Sequence, residues 1–96
     1  MNTQASILST LREHKAEFAD KYHLKSTGIF GSFSRSDYQE TIDVDILVDF
    51  NQPIGIEFID LAEELEKILK IKVDVVSKNG VKPRYLKEIE KDLIHV

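Results

Sequence analysis

Apolar residues recur along the 96-residue chain with two different periods, and the changes of period mark out its elements. Over 3–22, Ile7, Leu8, Leu11, Phe18 and Tyr22 return near helical spacing. That predicts an amphipathic helix, with Thr3 or Ser6 capping its start. A short apolar run over 26–30 predicts a strand broken by Gly31. Residues 34–38 predict one or two helical turns, and a polar loop follows through Glu40 and Thr41. Residues 43–50 predict a second strand, with Asp43, Asp45, Leu47 and Asp49 on one face and Val44, Ile46, Val48 and Phe50 on the other. Asn51-Gln52-Pro53 ends it. Helical spacing resumes over 56–69 through Phe58, Leu61, Ala62, Leu65, Ile68 and Leu69, leaving Glu63, Glu64 and Glu66 to solvent. The run IKVDVV over 71–76 predicts a third strand, interrupted by Asp74. Asn79-Gly80 predicts a turn, and a last helix over 84–93 turns Tyr85, Leu86, Ile89 and Leu93 inward.

The element order is therefore α-β-α-β-α-β-α. It predicts one small α/β (α+β) domain over 1–96, three strands flanked by helices. No internal repeat or interdomain linker interrupts it. With 42% hydrophobic and 31% charged residues, the composition is that of a folded domain. No apolar run approaches the roughly 18 residues of a membrane span, and the N-terminus lacks a signal-peptide core. Absence of cysteine excludes disulfides, thiolate metal sites and thiol nucleophiles. A cytoplasmic location is expected. The net charge of −4 argues against direct nucleic-acid binding, yet it hides a split. Residues 1–66 carry 5 basic and 13 acidic side chains, and residues 67–91 carry 8 basic and 3 acidic. Such a split marks either a face for an anionic ligand or acidic partner, or a solvated lysine-rich surface.

The chemistry concentrates over 28–50. A glycine after a strand lets backbone approach a ligand, and Ser32 and Arg35 supply a hydroxyl and a guanidinium suited to phosphate oxygens. Taken alone, Gly31-Ser32 reads equally as a plain strand-to-helix turn, and the P-loop spacing is missing. Asp43 and Asp45, two apart on a strand, project to one side and can share a cation; singly they also fit a solvated strand entrance. Asp74 weighs against that second reading. An aspartate among Ile71, Val73, Val75 and Val76 suits a strand whose face opens onto something. If 71–76 lies beside 43–50, the three carboxylates form an oxygen site for magnesium or manganese. Haloacid-dehalogenase-like phosphatases and glycosyltransferases place their aspartates at the end of an apolar strand, whereas here the strand follows the pair. EF-hand spacing fails at Leu47 and Val48. His14 and His23 have no zinc-ligand spacing and read as surface or helix-end residues.

Strand, Gly31-Ser32, Arg35, Asp43-x-Asp45 before an apolar strand, and Asp74 on a later strand together resemble the DNA polymerase β-like nucleotidyltransferase superfamily. The resemblance is to its minimal branch, the MNT domains that partner HEPN proteins in toxin–antitoxin pairs, and it spans the chain. Ser36 stands where the family often has glycine, and Ile42 where serine is common. The resemblance implies a mixed sheet and transfer of AMP from ATP to a hydroxyl, expected to be a tyrosine of a HEPN toxin in a hetero-oligomer. Asp43, Asp45 and Asp74 would hold two Mg2+ (or Mn2+) ions, with Asp74 either a ligand or the acceptor of the hydroxyl proton. Gly31, Ser32 and Arg35 would bind the triphosphate. The rival expectation is an antitoxin or nucleotide-binding module that neutralises its partner by contact alone.

Overall fold

The computed structural model describes residues 3–35 and 43–96. Its elements are α1 (Gln4–Tyr22), β1 (Leu24–Phe30), α2 (Ser32–Arg35), β2 (Val44–Phe50), α3 (Glu57–Leu69), β3 (Val73–Ser77), a 3-10 turn (Lys78–Gly80), α4 (Pro83–Asp92) and β4 (Ile94–His95). The expected turn at Asn79-Gly80 is that 3-10 turn. The polar loop through Glu40 and Thr41, the end of the helix expected over 34–38, and Ser36 and Ile42 lie outside the described residues.

One sheet runs in the order β3-β2-β1-β4. β1 pairs antiparallel with β2 and β4, while β2 pairs parallel with β3 across the helix α3. The sheet is therefore mixed, as expected, but it has four strands rather than three. The additional strand pairs only Gly28 with His95 and Ile29 with Ile94. Two residues directly after a helix carry no alternation, so only the pairing identifies them. The short helix also begins two residues earlier than expected, at Ser32.

Each main helix forms for local reasons. Thr3 caps α1 in a reciprocal box with Ser6, and His23 closes the helix in the left-handed region. Pro83 opens α4, where its missing N–H costs nothing. Val44, Ile46 and Val48 are essentially buried and form the core with Ile29, Phe33, Ile7, Leu11, Leu61 and Leu65. Leu47 is also buried but lies outside that cluster, because alternation turns it to the second face. There it pairs with Gly28, whose Cβ, were one present, would meet Leu93 Cδ1 at 2.8 Å and the Ile94 carbonyl at 2.7 Å. The end of α4 thus seals this row only because residue 28 has no side chain. No described helix is long and apolar enough to cross a membrane.

Candidate active site

The second face continues past Gly28 and Leu47 into a polar row. In register, Phe30 faces Asp45, and Asp45 faces Asp74. Paired positions on neighbouring strands project to one side of a sheet. Parallel pairing of β2 with β3 therefore sets the two aspartates next to each other, as the sequence predicts. Asp45 is half-buried, whereas Asp43 and Asp74 are exposed. Burial pushes the Asp45 carboxyl above its ordinary value, and the negative charges of Asp74 and Asp43 push it the same way. Arg35 acts in the opposite direction. The three aspartates and Arg35 thus share one electrostatic neighbourhood.

Gly31 closes the site from the side of β1. Its φ is +73°, and a Cβ there would overlap Asp45 Oδ2. The turn therefore lies against the carboxylate, and both its backbone conformation and its proximity require glycine. Ser32 starts α2 and is half-buried. Ser34 Oγ donates to the Gly31 carbonyl at 3.0 Å, and the Arg35 N–H reaches the same oxygen at 3.2 Å.

Arg35, expected at the phosphates, also makes a contact within the chain. Its Nη1 donates to Asp92 Oδ2 at 2.7 Å, at the end of α4, with both side chains partly exposed. Gln4 is a second contributor that the sequence did not reveal. Its Nε2 donates to the carbonyls of Phe33 (3.0 Å) and Ser34 (2.8 Å), tying α1 to α2. Partners 29 and 57 residues apart leave no periodic or motif signal. His14 Nδ1 donates to the Thr10 carbonyl at 2.9 Å and the ring stacks on Phe18, while His23 ends α1. Both are structural.

Among the described residues no three acidic, histidine or cysteine side chains converge closely enough to enclose an ion. The donor set nonetheless suits a hard divalent cation. It is all carboxylate oxygen, two members are registered side by side, and their mutual repulsion is what a bound cation relieves.

The profile of a family described as a nucleotidyltransferase domain matches residues 11–96. A Methanocaldococcus jannaschii protein named as a candidate protein adenylyltransferase is 44% identical over 98 aligned residues, spanning 100% of both chains. The protein adenylyltransferase MntA of Thermococcus cleftensis is 38% identical over 97 residues, covering 100% of this chain and 98% of that one. A solved structure of a candidate minimal nucleotidyltransferase superposes with a TM-score of 0.82 at 26% identity, covering 97% of this chain and 95% of the other. Another, of a tri-AMPylated HEPN toxin of Shewanella oneidensis in complex with an MNT antitoxin, superposes at 0.61 and 22% identity over 96% and 66%. At that identity the likeness is one of fold.

Proposed function

The chain belongs to the nucleotidyltransferase domain family, and from that premise we propose that it transfers AMP from ATP to a hydroxyl of a partner protein. The observation that carries this reading is the Asp45–Asp74 pair lying against the Gly31 turn, because it joins a carboxylate site to a close backbone approach. In the reaction the acceptor oxygen attacks the α-phosphorus in line. The new O–P bond forms as the bond to pyrophosphate breaks, and the proton of the hydroxyl passes to Asp74. Asp43 and Asp45 would be the principal ligands of a divalent cation, for which magnesium fits the oxygen donors. Once bound, it supplies positive charge to the phosphate oxygens. The Gly31 N–H and the Ser32 hydroxyl hold the outer phosphates. Arg35 joins them on the rim, its guanidinium steered by Asp92.

The acceptor is proposed to be a tyrosine of a HEPN-type toxin, with which the chain forms a hetero-oligomer and acts as antitoxin. The support is the fold shared with the antitoxin of the modified HEPN complex and the identity to MntA. No nucleic acid is proposed as partner. The test is purified protein with α-labelled ATP and magnesium, with and without the HEPN protein from the same genome. Label should pass to that protein from wild type and not from the Asp43→Ala/Asp45→Ala variant. A tight, silencing complex without label from any nucleotide would replace this reading with neutralisation by contact alone.

A further inference from the structure

At the other end of the sheet from the carboxylates, where β2 and β3 finish, a cleft of about 610 Å3 opens. Phe50 lies five residues beyond Asp45 on β2, roughly 17 Å away at about 3.3 Å per strand residue. Phe50 and Phe58 meet edge to face at 6.4 Å, and Pro53 and Ile54 extend this apolar floor. The amides of Asn51 and Asn79 stand on the rim, and no charged side chain is among the described lining residues. At the start of α3, next in sequence to the cleft, Ile56 and Ile59 are 72% and 57% exposed. Two large aliphatic side chains in water beside an apolar cleft mark a surface made to be covered.

Charge identifies what covers it. Residues 43–66 carry eight acidic side chains and no basic one. Glu57 and Asp60, both exposed, lie next to the two isoleucines in sequence, whereas exposed Lys78 follows in sequence between the lining residues Ser77 and Asn79. We propose that this cleft seats a segment of the acceptor protein, with an apolar or aromatic anchor in the cleft and lysine or arginine over Glu57 and Asp60. The proposal rests on the protein-acceptor reading above and adds where and how the acceptor is held. A nucleotide is poorly suited, because no described lining residue is cationic, Lys78 being only next in sequence to the lining, and Glu57 and Asp60 repel phosphate. A second copy of this chain is the competing occupant: its basic helix α4 turns Leu86 and Ile89 partly inward, but Tyr85, expected inward from the sequence, is 54% exposed beside Arg84, and the crosslink below separates the two.

The test measures affinity for the HEPN protein by calorimetry, using wild type, Ile56→Ser/Ile59→Ser and, as a control on exposed α1, Glu17→Gln. The cleft variant should bind at least tenfold more weakly while Glu17→Gln binds as wild type does. Equal binding by the cleft variant overturns the proposal. If wild type itself does not bind, the HEPN assignment fails rather than the cleft. A photo-crosslinking benzoylphenylalanine at position 59, in the full chain in cells, then decides. Crosslinks to an apolar segment flanked by Lys or Arg on another protein uphold the cleft; crosslinks to a second copy, or none, sink it.

Discussion

At Gly31 the backbone φ of +73° and the carboxylate of Asp45 both act on the same missing Cβ. Gly31→Ala should cost about 1–2 kcal/mol in urea unfolding, the usual penalty of left-handed backbone. It should lower AMP transfer more steeply than stability, because displaced reacting groups can cost about a hundredfold. Asp45 makes the complementary case. Its carboxyl is raised by burial and by two neighbouring negative charges, so the folded state holds that proton more tightly than the unfolded chain. Its contribution to metal-free stability is full below the ordinary carboxylate range and is lost as pH rises through the raised value. Asp45→Asn should therefore melt higher than wild type at neutral pH in EDTA and lack that slope, while losing transfer. A lower melting point for the variant would contradict this account.

Among the elements, what could be read from sequence followed the range of the interactions. The alternation of β2 and the apolar stripes of α1 and α3 are set by neighbours along the chain, and they were legible to within a residue or two. Asp74 was legible as well, since a charge inside a valine run has few structural excuses. β4, the Gln4 tie and the Arg35–Asp92 pair depend on contacts between distant segments, and no local pattern announces them. The α1–α3 junction is of the same kind. The Tyr22 hydroxyl donates to Glu64 Oε2 at 3.0 Å, and Lys21 reaches the same carboxylate at 2.8 Å. The hydrogen bond from Lys21 is the main influence holding the Glu64 carboxyl low. The stability it contributes is present above the ordinary glutamate value and is lost as pH falls through the lowered one. Tyr22→Phe should cost about 1 kcal/mol at neutral pH, the usual worth of one such hydrogen bond, in chemical denaturation. A cost of zero would mean that water replaces the bond fully.

For the whole molecule, the radius of gyration of 12.5 Å is that of an ordinary compact domain of this length, but the extents are 34 × 30 × 18 Å. The thin dimension follows from the layering. Helices α1 and α3 bury one face of the sheet, and, among the described residues, Leu93 and Ile94 meet the Gly28–Leu47 part of the other. Beyond it Asp45 is half-buried and Asp43 and Asp74 are exposed, a placement that would suit the protein acceptor proposed above. The order β3-β2-β1-β4 also makes β3 a border of the sheet. With Asp74 replaced by valine, that border would read as four consecutive valines, a short, uncharged, β-branched ribbon with unpaired backbone groups. Asp74→Val should therefore scatter light and precipitate at concentrations where Asp74→Asn stays monodisperse. On that outcome the aspartate would be a gatekeeper against self-templating, whatever its part in transfer. An inactive mutant chosen without regard to this would report insolubility as though it were lost chemistry.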